Sequence, residues 1–281
     1  PVFATSGYSA SENQVILTGG RKLQRLDIQT GIMEALPFKD SAHSESSAYQ
    51  RWPDVLPGMT HLIYTEAELG ETDSGNVFLY DLNSFETSLL LYNAYNARFS
   101  PSGHIIFVRD AALWAVPFDL ESMSLLGDPE LVVDKIHSQG QVGAAVYSFS
   151  QKGHLFYLKG SDANVNSTGM NLSWVERNGS IRPIDLPKQG RIAAIRLSPS
   201  GDRILYTQYS STQNSDLWIW DIKKRIASRR TFSGKASHGI WSERGDSIIY
   251  NDRSEPGIWE VDASGAGQPI MIKESAGDLW P

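Results

Sequence analysis

The 281-residue chain contains no cysteine. That excludes a disulfide framework, a thiolate metal site and a cysteine nucleophile, and it suits an oxidising compartment without requiring one. No apolar run approaches the roughly 18 residues of a membrane-spanning helix. No secretory leader is visible. Because the chain opens at Pro1 rather than Met, the true start is expected upstream, with any export signal or anchor. Basic runs are missing too. Lys and Arg number 25 against 32 Asp and Glu, a net charge of −7. The short cluster Lys223-Lys224-Arg225 reads as a solvated turn, so a nucleic-acid surface is not expected. Gly and Pro interrupt nearly every window that could hold a long amphipathic helix. Catalytic signatures are equally scarce. The six histidines are scattered, there is no HExxH and no sialidase-type Asp-box, and Gly7-Tyr8-Ser9-Ala10-Ser11 lacks the final Gly of a nucleophile elbow. The chain is therefore not expected to be an enzyme, nor to carry a cofactor.

What is present is repetition. An apolar or aromatic residue, a polar turn and a run of β-formers recur six times: from Tyr8, Trp52, Phe99, Phe149, Leu197 and Trp241. A second phrase, apolar and ending in an acid, also recurs six times, closing at Asp27, Asp81, Asp119, Glu176, Asp221 and Asp262. A period of roughly 40–50 residues built from strands is the signature of a β-propeller, one blade per repeat. The expectation is an all-β fold, a single six-bladed propeller over 1–281 with four-stranded antiparallel blades near 1–38, 45–91, 95–134, 144–187, 192–232 and 237–273. A seven-bladed ring, or part of a larger propeller, is the alternative. Leu279-Trp280-Pro281 resembles the opening of the second repeat, so 277–281 is read as the start of a closing or further strand.

In each blade, strand a ends at the first phrase. A Ser-Pro-Ser-Gly turn follows, as at Ser100–Gly103 and Ser198–Gly201, where Pro fixes φ and Gly permits positive φ. Strand b is almost continuously apolar, as a sheet covered on both faces requires. The acid closing strand c is read as a cap of the c–d turn through side-chain to backbone hydrogen bonds. Trp218 and Trp241 are placed between blades.

Short uniform turns occupy one end of such blades. Irregular loops occupy the other: Lys39–Ala48, Glu66–Gly75, Asp134–Gly143, Gly160–Gly169 and Tyr209–Ser215. Variable loops on a rigid scaffold are where binding usually resides. Four acids, Glu66, Glu68, Glu71 and Asp73, crowd one loop and read as solvated ligand-binding candidates for a cationic or peptide-like partner. Asp162, Asn164 and Asn166 alternate like the early ligands of a calcium loop, but the pattern lacks its central Gly and its terminal Glu, so no metal is expected. Arg51, Arg98 and Arg196 each precede the residue closing strand a. They are read either as guanidinium groups around a central channel holding an anionic small ligand or as partners of acids in their own or adjacent blades.

The stretches Phe99–Gly103, Leu197–Asp202, Asn214–Ile222 and Ala97–Asp119 resemble the TolB-like (WD40-like) propeller repeats of bacteria. The match is similar to propeller regions attached to bacterial serine/threonine kinases and to membrane-anchored winged-helix regulators. The turns Ser9-Ala10-Ser11-Glu12, Ser150-Gln151-Lys152-Gly153 and Ser242-Glu243-Arg244-Gly245 depart by losing the Pro, which should leave the turn intact. The resemblance implies a non-catalytic sensor or protein-interaction module of a larger signalling protein. It would lie in the periplasm or otherwise outside the cytoplasm, bind a protein or peptide, and meet a membrane only through a segment not in this chain. The alternative is the substrate-gating propeller of a prolyl-oligopeptidase-type serine hydrolase.

Overall fold

Runs such as Val15-Ile16-Leu17-Thr18 and Ile204-Leu205-Tyr206-Thr207 are buried along their whole length, and a strand covered on both faces must sit between two other layers. The computed structural model shows how these strands are used. It describes residues 8–11, 13–68, 75–139, 144–149, 155–158, 172–175, 181–184, 186, 191–211, 213–274 and 279–280. The chain divides into two compact units, Pro1–Ala145 and Val146–Pro281.

In the first unit, β1 (Tyr8–Ser11), β2 (Gln14–Gly19), β3 (Lys22–Asp27) and β4 (Met33–Ala35) pair in sequence order. A short helix, α1 (Ser41–Ser44), leads to the meander β5 (Tyr49–Val55), β6 (His61–Ala67), β7 (Asn76–Asp81) and β8 (Thr87–Leu91). The third sheet holds β9 (Tyr95–Ser100), β10 (His104–Arg109) and β11 (Ala112–Asp119). Its outer edge is divided, because β12 (Ser124–Leu125) and β13 (Glu130–Val133) both pair with β11. A two-stranded hairpin, β14 (Ser138–Gln139) with β15 (Ala144–Ala145), ends the unit.

The second unit repeats the plain meander three times. The first is β16 (Tyr147–Phe149), β17 (Leu155–Leu158), β18 (Leu172–Val175) and β19 (Ile181–Ile184). The next is β20 (Arg191–Leu197), β21 (Arg203–Tyr209), β22 (Ser215–Asp221) and β23 (Ile226–Arg229). The last is β24 (Ala236–Trp241), β25 (Ser247–Asp252), β26 (Gly257–Asp262) and β27 (Ile270–Glu274), and Leu279–Trp280 forms β28. Six equivalent four-strand repeats were the expectation. Five sheets follow that path, and the third departs from it through its split edge.

Neighbouring sheets share cores. Leu56, Ile63, Val77 and Leu79 pack with Ile105, Phe107, Val116 and Phe118 in the first unit. Leu205, Leu217 and Ile219 pack with Trp241, Ile248 and Val261 in the second. Trp218 lies against a cluster joining Phe156 to Ile204, Tyr206 and Trp220. Both tryptophans thus stand between sheets, as their pattern suggested.

The turns at one end of the sheets are near copies. Gly103, Gly201 and Gly245 donate N–H to the carbonyls of Ser100, Ser198 and Ser242 at 2.9, 2.8 and 2.9 Å, with φ of +77°, +75° and +71°. The last of these lacks the Pro and keeps the turn. Each c–d turn is held by its acid: Thr30 N donates to Asp27 at 2.8 Å, Asn83 N to Asp81 at 2.7 Å, Ser122 N to Asp119 at 2.9 Å, Lys224 N to Asp221 at 2.8 Å and Ser264 N to Asp262 at 2.6 Å. Glu176 and Ser150–Gly153 lie outside the described residues.

These hydrogen bonds hold all five carboxyls below the usual aspartate range. Backbone donors dominate at Asp27, Asp81 and Asp221, and serine hydroxyls at Asp119 and Asp262. A depressed folded pKa contributes stability that is present above the unfolded value and lost as pH falls through the folded one. Melting temperature should therefore fall below about pH 4, where free aspartates take up protons. Replacing all five by Asn, which keeps an acceptor for the turn, should flatten that acid limb in a series of thermal melts. An unchanged acid limb would count against the assignment.

Outer strands carry a different irregularity. Leu90 in β8, Val132 in β13 and Ile272 in β27 are extra residues where the register slips against the neighbouring strand. Each is a β-bulge on an edge.

Candidate functional site

The ends of the sheets opposite the repeated turns carry clusters that differ from sheet to sheet. In the first unit the connection from β4 to β5 folds over the sheet β5–β8. Asp40 caps α1 by accepting from Ala42 N at 2.9 Å, and Phe38 packs against Tyr80, Tyr64 and His43. This seats His43 against Glu66, Nδ1 to Oε2 at 3.1 Å. Glu66 Oε1 also accepts from Gln50 Nε2 at 3.0 Å and from the Tyr64 hydroxyl at 3.4 Å. Lys22 Nζ donates to the His43 carbonyl at 2.7 Å. Burial pushes the Tyr64 phenol up and the Lys22 ammonium down, each as the main cause. The His43 and Glu66 side chains are only 13% and 11% exposed. Their capacity is spent on each other and on the loop, so Glu66 is not the solvated acid its sequence neighbourhood suggested. Glu68 accepts from Ser47 Oγ at 3.1 Å. Glu71, Asp73, Asp162, Asn164 and Asn166 lie outside the described residues. At the repeated-turn end, an open groove of about 660 Å³ runs between Lys39–Ser41 and His61, Asp81 and Ser88.

The arginines do not share one repeat position. Arg98 opposes Ile106 and Arg196 opposes Leu205, in matching registers. The residue at that register in β5 is Asp54, opposite Ile63, whereas Arg51 opposes Thr65, three residues earlier. The reason is a bulge in the inner strands. Trp52, Asn96, Ala194 and His238 each take positive φ, +51°, +51°, +49° and +54°, where the register slips. Val55, not Trp52, therefore matches Phe99, Leu197 and Trp241. Arg51 is fully buried, with its guanidinium 4.6 Å from the Tyr49 ring centroid, and burial lowers its pKa. Arg98 faces Asp54 of the adjacent sheet, Nε to Oδ1 at 3.8 Å, and Asp54 Oδ2 accepts from Phe99 N at 2.8 Å. That is the partner-of-an-acid reading. Arg196 donates to the Ile195 carbonyl at 2.8 Å.

In the second unit the centre is Asp216, which the sequence did not single out. It accepts from Arg229 Nη2 at 2.5 Å, Thr231 Oγ1 at 3.0 Å and Gly234 N at 3.2 Å. Next to it, Ser233 Oγ donates to Asp252 at 2.5 Å. Phe232 lies within this turn and is 74% exposed. A large aromatic between Arg, Ser and Gly in a d–a connection was the available signal. Burial, with Arg196 and Arg253 as smaller contributions, pushes the His238 imidazole down to about 3. It is therefore neutral at ordinary pH. Among the described residues no group of three or more His, Asp or Glu is placed to hold a metal ion, and no helix is long and apolar enough to cross a membrane.

Solved structures match this arrangement over most of the chain. TolB from Acinetobacter baumannii superposes with a TM-score of 0.69 at 16% identity, covering 95% of this chain and 64% of that one. The fold is that of a TolB-like β-propeller. A putative TolB from Agrobacterium tumefaciens gives a TM-score of 0.67 at 14% identity, over 92% of this chain and 88% of that one. A nidogen/laminin complex gives 0.65 at 8% identity, over 95% and 96%. The chain thus spans about two thirds of the Acinetobacter TolB chain. No family model and no curated protein matches the sequence. At these identities the likeness concerns the TolB-like fold and no activity.

Proposed function

We propose that this chain is a non-catalytic protein-interaction or sensor propeller belonging to a larger bacterial signalling protein and working outside the cytoplasm. The observation that carries the reading is the contrast between the two ends of the sheets. At one end the same backbone turn recurs with the same hydrogen bonds. At the other, individual clusters built around Glu66 and Asp216 hold loops that share no sequence. Repeated turns serve the scaffold, and divergent, internally braced loops serve recognition. The TolB-like fold supports this, as does the occurrence of such a fold in the nidogen/laminin complex.

A photo-crosslinking residue placed at Ser44 or Gln213, in the divergent loops, should capture a discrete protein partner in the source bacterium. The same residue at Asn83 or Lys223, in the repeated turns, should not. Capture from the turns alone would reverse the assignment of the binding end. Hydrolysis of a peptide or ester panel by the purified chain would replace the reading with an enzymatic one.

A further inference from the structure

Phe232 is the most exposed of the large hydrophobic side chains among the described residues, yet it sits in a densely hydrogen-bonded turn. The Arg229 guanidinium lies 4.8 Å from its ring centroid. That guanidinium is itself fixed by Asp216 at 2.5 Å and by the Thr231 carbonyl at 2.8 Å. On either side of Phe232, Thr231 and Gly234 are bonded to Asp216, and Ser233 to Asp252. Thr231 Oγ1 also accepts from Leu217 N at 2.9 Å. The turn is thus tied down at 231, 233 and 234, and the ring of Phe232 projects into water. Exposing a ring of this size leaves its burial energy unused, and a ring carried on an already ordered turn loses less entropy on docking than one on a loose loop.

Charged groups at this turn lie at different depths. Asp216 and Asp252 are buried beneath the turn, at 7% and 4% exposure. Arg229 and Lys235 are partly exposed, with Lys235 Nζ held by the Gln213 carbonyl at 3.0 Å, and Arg253, whose backbone N–H reaches the Lys235 carbonyl at 3.3 Å, is exposed. A cationic rim in a chain of net charge −7 is a local inversion.

We propose that Phe232 and the rim of Arg229, Lys235 and Arg253 form the anchor of a docking surface for an acidic protein segment that presents an apolar socket. This rests on the protein-interaction reading above and names the partner's chemistry. A second copy of this chain, itself acidic overall, is the competing occupant.

The test uses the 281-residue chain and fluorescent peptides containing Asp, Glu and one Leu or Trp. Controls are peptides with Lys in place of the acids, and with Ser in place of the apolar residue. Anisotropy should rise only with the acidic, apolar peptides, and less so in high salt. Phe232→Ala should weaken binding at least about tenfold, as loss of a central aromatic anchor does, and Lys235→Glu with Arg253→Glu should weaken it comparably. The thermal melt of Phe232→Ala should match the parent, since that ring faces water, and the double variant should remain folded. Equal binding by Phe232→Ala, or preference for the Lys peptides, would overturn the proposal. So would concentration-dependent dimerisation that Phe232→Ala abolishes. Crosslinking at Ser44 and Gln213 that persists in the Phe232→Ala chain would leave the wider reading standing while this one fell; absence of crosslinking at both positions in the parent chain would remove the wider reading.

Discussion

Trp241→Ala should destabilise the second unit by roughly 3–5 kcal/mol, the range for truncating a large buried aromatic. Its ring fills the space between Leu205, Leu217 and Ile219 of one sheet and Ile248 and Val261 of the next. The indole N–H donates to the Arg196 carbonyl at 3.2 Å, and the Arg203 guanidinium sits 4.8 Å from the ring. Arg203 in turn donates to the Gly245 carbonyl at 2.6 Å. Truncation therefore opens a cavity, orphans a carbonyl and frees the cation that braces the last a–b turn. For a chain of this length the melting temperature should fall on the order of 10 °C, and urea unfolding should shift to lower midpoint. Trp241→Phe should recover much of the packing but not the indole hydrogen bond, and fall between. A melt unchanged within error would place the side chain outside the interface and void the sheet register given for β24.

The second large effect is expected at Asp216. Removing this buried carboxylate strands three donors at once, from Arg229, Thr231 and Gly234. Hydrogen bonds to a charged group contribute about 1.5–3 kcal/mol each when their loss leaves a partner unsatisfied. Arg229 is partly solvated and recovers some of this from water, so a total of roughly 3–5 kcal/mol is expected for Asp216→Ala, the range for breaking a buried ion pair. Asp216→Asn should cost less, because one oxygen still accepts from Thr231 and Gly234. Hydrogen exchange should localise the damage: amides of 229–236 should lose protection well before those of β25. Uniform loss across the unit, or none, would show that Asp216 does not organise that turn.

Much of the scaffold was legible in the sequence because it depends on local chemistry. Strand b announces itself through runs such as Ile105–Val108. The a–b turn needs a positive-φ glycine, which Gly103, Gly201 and Gly245 supply, and the c–d turn needs a short acceptor, which Asp supplies. The inner-strand bulge had no such signature. Trp52, Asn96, Ala194 and His238 are chemically unrelated residues in the same left-handed conformation. Each is held there by its surroundings against an intrinsic cost of roughly 1–2 kcal/mol. Without that marker the aromatic of Trp52-Pro53 passed for the end of strand a, and Arg51 was aligned with Arg98 and Arg196. The two loop clusters were hidden for another reason. Glu66 meets His43 across 23 positions and Asp216 meets Gly234 across 18, through loops whose paths no periodicity records.

The extra residues at Leu90, Val132 and Ile272 bear on how such a molecule survives at high concentration. Sheets that end in open edges invite lateral growth, since an unpaired row of amides and carbonyls is a template for any passing strand. These edges are also greasy: Leu131, Val132, Ile270 and Met271 stand partly in water. A kink in the middle of each row breaks the flat stretch that cross-β stacking requires. A kinked edge of this kind is a poorer template for fibril growth than a flat one.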